Sequence, residues 1–234
     1  MRHPRKRIGR GSVCLIEKME GRQLLAGNVT ATIVGGVLTI KGDSKANEIQ
    51  VDSNDDFTTT VTGVGTTING NPLPATFPGP PPISIDMGDG DDVVTLSDMQ
   101  FQSVTVTTGK GNDYVLGVNR DVADNLFNRL TINTGDGDDY IRLGGSTGVA
   151  VDLNIDTGKG NDMVESVGSL GVGGNVKIST GADNDSVRFA GSAFIGGSLS
   201  ADGGDGGFDV LNKSAASVSV GGSTSFTNFE VLFL

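Results

Sequence analysis

The sequence predicts an all-β fold, a β-solenoid (parallel β-helix) with about 23 residues per coil, from three observations. The first is a glycine- and aspartate-rich segment that recurs at Gly88-Asp-Gly-Asp-Asp92, Gly109-Lys-Gly-Asn-Asp113, Gly135-Asp-Gly-Asp-Asp139, Gly158-Lys-Gly-Asn-Asp162 and Gly181-Ala-Asp-Asn-Asp185. A degenerate copy occupies 203–209, and the first glycines of successive copies lie 21, 26, 23, 23 and 22 residues apart. The second is a run of alternating apolar and polar residues before each copy, such as Val104-Thr-Val106, Leu130-Thr-Ile132 and Val176-Lys-Ile178. That period of two belongs to a half-buried strand. The third is an aliphatic residue two places after each final aspartate: Val94, Val115, Ile141, Val164, Val187 and Leu211. One such unit cannot bury its own apolar face. Units stacked at the strand spacing of about 4.8 Å bury a continuous column.

Taken in order, residues 1–26 read as a basic export leader. They hold seven basic and two acidic residues, with the only His and the only Cys, His3 and Cys14. They lack the apolar core of an ordinary signal peptide. Residues 27–70 read as N-terminal capping coils, with Gly42–Asn47 at a corner that lacks the repeated pattern. The stretch 71–82 carries six of the seven prolines and reads as a loop, since proline cannot join a central ladder. Residues 83–234 are the solenoid repeats, with Phe226–Leu234 as a C-terminal capping strand. The longer spacing after Asp113 leaves room for a single helical turn over 121–128, with Asp121 as N-cap. The pairs Gly173-Gly174 and Gly196-Gly197 read as a second corner of the coil.

Composition narrows the function. Beyond residue 26 the chain holds 10 basic and 26 acidic residues, a net −16. Such a body repels nucleic acid and anionic membranes and favours divalent cations or plain solubility. The same body contains no His and no Cys, which removes imidazole and thiol chemistry. No apolar run approaches the length of a membrane span.

The motif Gly-x-Gly-[Asn/Asp]-Asp-x-[Val/Ile] resembles the nonapeptide of RTX (haemolysin-type) calcium-binding proteins. The match is close at 88–94, 109–115, 135–141 and 158–164, although Met87, Thr108, Thr134 or Thr157 stands where the first paired glycine belongs. At 181–187 Asp183 replaces the second glycine. The resemblance implies Ca²⁺ at the corners, held among Asp89, Asp91, Asp92, Asn112, Asp113, Asp136, Asp138, Asp139, Asn161, Asp162, Asp183 and Asp185. One corner per coil, rather than two, confines any ion ladder to one edge. The segment Glu17-Lys-Met-Glu20-Gly-Arg22-Gln-Leu24-Leu25 similarly resembles the Leu-Glu-x-Arg-x-Leu-Leu leader of many planctomycete extracellular proteins, which implies export and surface association.

Stacking would place Asp92, Asp113, Asp139, Asp162 and Asp185 in one column, where like charges about 5 Å apart repel by roughly 3 kcal/mol at a dielectric of 20. Two remedies are open. Ca²⁺ takes six to eight oxygens from carboxylates and carbonyls; alternatively, each aspartate accepts hydrogen bonds from its own turn, as an Asx-turn. A second column, Asp89, Lys110, Asp136, Lys159 and Ala182, alternates in sign and predicts ion pairs between coils. The expected function is a non-enzymatic extracellular or cell-surface structural or adhesive repeat protein, monomeric, with a protein or polysaccharide partner. The alternatives are a carbohydrate- or protein-binding module and a polysaccharide-acting β-helix enzyme, for which Asp152 and Asp156, or Arg142 and Arg188, are the candidate residues.

Overall fold

A computed structural model of the chain describes residues 27–119, 124–214 and 217–234. The expected leader, with Cys14 and His3, lies outside the described residues. Coils of about 23 residues stack in parallel into a β-solenoid. Three parallel ladders run its length. The first follows each aspartate corner: Glu48–Ser53, Val93–Ser97, Tyr114–Val118, Tyr140–Val149, Met163–Val172, Ser186–Phe189, Val210–Asn212 and Val231–Phe233. The second is the return side, where Ser169–Val172 pairs with Ser192–Ile195 and that with Ser217–Val220. The third precedes the next corner, running from Val37–Lys41 through Ile83–Asp86, Gln100–Lys110, Asn125–Asp136, Leu153–Asp156, Val176–Ser179 and Leu199–Asp202 to Thr224–Thr227.

Alternation along each strand decides what faces inward. Val94, Val115, Ile141, Val164, Val187 and Leu211 are all buried, as are Val104, Val106, Leu130, Ile132, Leu153 and Ile155 from the third ladder. The aliphatic columns read from sequence are therefore the core. The Gly-Gly corners also hold: Gly173, Gly196 and Gly221 stack in file between the second and third ladders.

The N-terminal end closes differently from the rest. Asn28–Val34 folds back antiparallel on Val37–Lys41 through Gly35 and Gly36, both at positive φ. Thr58–Gly63 does the same on Glu48–Ser53. Each hairpin covers the first open edge of a parallel ladder, the classical liability of a sheet.

Two local expectations change. The proline-rich segment is not wholly loop, because Ala75–Pro78 forms an edge strand antiparallel to Thr58–Gly63. Pro78 is the strand's last residue, on an outer edge where no donated N–H is needed. The helical turn expected over 121–128 is also revised. Residues 125–128 belong to the strand Asn125–Asp136, while Asp121 lies outside the described residues. Tertiary pairing to Gln100–Lys110 on one side and Tyr140–Val149 on the other overrides local helix propensity there.

Candidate functional site

The corners stack in register, and three side-chain ladders stitch them together. The innermost is the aspartate column. The backbone N–H of Asp92 donates to Oδ1 of Asp113 at 2.7 Å, Asp113 to Asp139 at 2.8 Å, Asp139 to Asp162 at 2.8 Å and Asp162 to Asp185 at 2.8 Å. The ladder extends at both ends beyond the sequence motif. Asn47 N–H donates to Asp92, Asp185 N–H to Asp209, and Asp209 N–H to Glu230 Oε2. These bonds correct the Asx-turn expectation: the acceptor belongs to the following coil, not to its own turn. The side chain is buried at the corner, where it meets the amide of the coil before it.

The threonines that replace the first RTX-type glycine form a second ladder. Thr108 Oγ1 donates to the carbonyl of Thr134 at 3.1 Å, Thr134 to Thr157 at 3.3 Å, Thr157 to Thr180 at 2.9 Å and Thr180 to Gly203 at 3.1 Å. All four hydroxyls are buried, so each would cost roughly 1–3 kcal/mol if left unpaired. The third ladder lies outside and runs the other way. Asn112 N–H donates to Asp91, Asp138 N–H to Asn112, Asn161 N–H to Asp138 and Asn184 N–H to Asn161. Adjacent coils thus donate in both directions at each corner.

The residues expected to bind metal therefore separate. Asp92, Asp113, Asp139, Asp162 and Asp185 form the buried column. Asp91, Asn112, Asp138 and Asn161 form the exposed one. Asp89 and Asp136 sit on a third file with Lys110 and Lys159, where neighbours pair in register. The expected ion pair is present between Lys159 Nζ and Asp136 Oδ1 at 2.9 Å; both side chains are exposed, so it contributes little. Asp183 joins none of these. It takes the second-glycine place at φ 85° and is exposed, while its neighbour Asn184 carries the outer ladder. Asp209, read from sequence as the end of a degenerate copy but left out of the expected column and ion set, continues the inner ladder, and Phe208 is the residue that interrupts the pattern. The true register aligns Gly204, not Gly203, with Gly181. Asn47 and Glu230 carry no motif at all.

The electrostatics of the inner column are those of buried acids. The second oxygen, Oδ2, of Asp92, Asp113, Asp139, Asp162, Asp185 and Asp209 is buried with no hydrogen-bond partner. Burial pushes the carboxyls of Asp92, Asp139 and Asp185 up to about 7, against the opposing pull of the Thr134 hydroxyl at Asp139, of the Thr180 hydroxyl at Asp185, and of the amides of the coil before. Burial also raises Asp113, Asp162 and Asp209. On the outer ladder, Asp138 is held low by the amide and side chain of Asn161.

Of the residues weighed for catalysis, Arg142 and Arg188 share one file, two rungs apart, while Asp152 and Asp156 lie elsewhere. Asp152 caps a Gly-Gly corner, accepting from Asn175 N–H at 2.9 Å and pairing with Arg129 at 3.2 Å. Asp156 is exposed on the third ladder, whereas Arg142 and Arg188 lie on the first.

No family model matches the chain, and neither a curated protein nor a solved structure matches it. No described helix is long and apolar enough to cross a membrane.

Proposed function

We propose that this protein is a non-enzymatic structural or adhesive module of the extracellular or cell-surface space, a stiff rod whose stacked corners take up Ca²⁺. The observation that carries the reading is the inner ladder, which runs unbroken from Asn47 to Glu230. The molecule's most continuous polar feature is a device for holding coils in register. The surface assignment rests on the leader resemblance and on the acidic body.

Calcium fits the donor chemistry of the corners. Six buried carboxylate oxygens without partners are a poor end state for a folded protein, since buried polar groups are normally paired. Asp92, Asp113, Asp139, Asp162, Asp185 and Asp209 would hold the ion, with backbone carbonyls of the glycine corners completing an all-oxygen set. Bound there, it would cancel repulsion between successive rungs. Among the described residues no three acidic side chains converge, so the affinity belongs to the weak, extracellular millimolar class.

The test is thermal unfolding at pH 7.5 with calcium or with EDTA, a near-neutral choice set by pKa values of about 7 in the column. At tenfold excess over Kd each occupied gap adds about 1.4 kcal/mol, so melting should rise by several degrees. Near pH 4, protonated carboxyls should abolish the difference. Superimposable curves in calcium and EDTA at neutral pH would remove the ion from the reading.

A further inference from the structure

We infer that the face formed by the first ladder is a binding site for the carboxylates of an acidic polysaccharide, centred on Tyr114, Tyr140 and Arg142. The coil brings together what the sequence scatters. The chain's two tyrosines stack edge to face with ring centroids 5.9 Å apart, on adjacent rungs of this face. Directly beside them, the outward file Leu116, Arg142, Glu165 and Arg188 lies in register.

Each side chain of the cluster has its task settled except two. Glu165 is 7% exposed and spends both oxygens, one on Tyr140 Oη at 2.8 Å and one on Arg188 Nη1 at 2.7 Å. Tyr140 and Arg188 are thereby fixed. Arg142 is exposed and has no ion-pair partner among the described residues, although it neighbours Glu165 in register. Tyr114 is 47% exposed and presents its ring beside Leu116. The result is a preorganised platform: an aromatic and aliphatic surface next to a guanidinium fork that no carboxylate fills among the described residues. The net negative body opposes a polyanion at long range, but in this file Arg142 and Arg188 flank Glu165 alone, so the patch itself attracts an anion.

The chemistry that completes this arrangement is a sugar ring bearing a carboxylate. The apolar C–H face of a pyranose packs on Tyr114, and the carboxylate accepts two parallel hydrogen bonds from Arg142. An acidic peptide fits less well. Laid along the solenoid axis it would advance about 3.3 Å per residue, out of step with rungs about 4.8 Å apart. The assignment goes beyond the scaffold role and does not depend on calcium.

The experiment is titration of the full chain in EDTA with four probes: polygalacturonate, its methyl ester, dextran and poly-L-glutamate. Polygalacturonate should bind, while the methyl ester and dextran should not. Arg142→Ala should weaken binding by about tenfold or more, as expected for loss of a charge-assisted contact, and Tyr114→Ala by a similar factor, through loss of the ring's packing surface. Arg142→Lys should fall between them and the parent. Both side chains are exposed, so melting curves matching the parent verify that the face is intact. Failure to bind polygalacturonate, equal binding of its methyl ester, or undiminished binding by the Arg142→Ala/Tyr114→Ala double variant would overturn the assignment. Tighter binding of poly-L-glutamate would overturn it in favour of an acidic protein partner. None of these outcomes bears on calcium-dependent melting.

Discussion

In EDTA, the protein will lose stability as the pH rises from 4 to 7, the reverse of ordinary acid denaturation. Asp92, Asp139 and Asp185 hold their protons to about pH 7 when folded, against 3.8 when free. Between those limits the unfolded chain has released protons that the folded chain still binds. Linkage then drives stability downward with increasing pH, by up to about 1.4 kcal/mol per unit for each such group. Above pH 7 the slope vanishes, because both states are ionised. Below 3.8 these groups contribute no further change. There the exposed carboxylates with lowered pKa, Asp136, Asp138 and Asp152, act in the opposite sense, losing their stabilising bonds as they are protonated. Their exposure keeps that loss small.

The three inner rungs are coupled, so their effects do not simply add. A fall of several kcal/mol across the interval is still expected, seen as a melting temperature lower at pH 8 than at pH 4.5. Asp139→Asn separates charge from shape. The amide oxygen keeps the bond from Asp113 N–H, while the charge is gone. At pH 8 in EDTA this variant should melt above the parent, and at pH 4.5 close to it. A parent stability that rises from pH 4 to 7 would show that the column is not a file of buried acids.

How much of this was legible in the sequence differs by level. The coil, its core columns and the stacking of Asp92 through Asp185 follow from spacing alone, because a fixed period forces equivalent residues into file. The alternation of Lys159 with Asp136 was equally readable. The direction of the aspartate bonds was not. Whether Oδ1 meets its own turn or the preceding coil depends on a corner geometry that permits both. The meaning of Thr108, Thr134, Thr157 and Thr180 was hidden for a related reason. As departures from an RTX-type glycine they looked like losses, while in space they are buried donors. Asp209 was legible as the end of a degenerate copy, while a single inserted residue hid that it continues the column. The tyrosine–arginine face was invisible, since Tyr114, Tyr140 and Glu165 are 26 and 25 positions apart and come onto one face only through the winding of successive coils.

Apart from the place taken by Asp183, the second glycine of each corner lies against backbone of the coil before it, and Gly137→Ala should be among the most damaging single substitutions in the molecule. Gly137 sits at φ 146°, outside the conformations open to L-residues, which alone costs on the order of 1–3 kcal/mol. A Cβ there would also collide with the carbonyl oxygen of Gly111 on the preceding coil. Backbone, not a flexible side chain, is what it meets, so relief requires the two coils to separate. That separation stretches the bonds that cross the same gap, Gly111 N–H to Asp136 O and Asp113 N–H to Asp139 Oδ1. In a stack where each coil touches only its neighbours, loosening one gap uncouples the blocks on either side of it. The expected result is a melting temperature lower by on the order of 10 °C, for roughly 3–5 kcal/mol, and a broader transition in which the two blocks melt apart. Gly171→Ala provides the contrast. Gly171 lies in the strand Met163–Val172, and an added Cβ there would meet nothing within 4 Å. Its replacement should leave melting unchanged or raise it slightly, through the lost freedom of the unfolded chain. Equal effects at the two positions would mean that the corners are not in close backbone contact, and the stacked register would have to be abandoned.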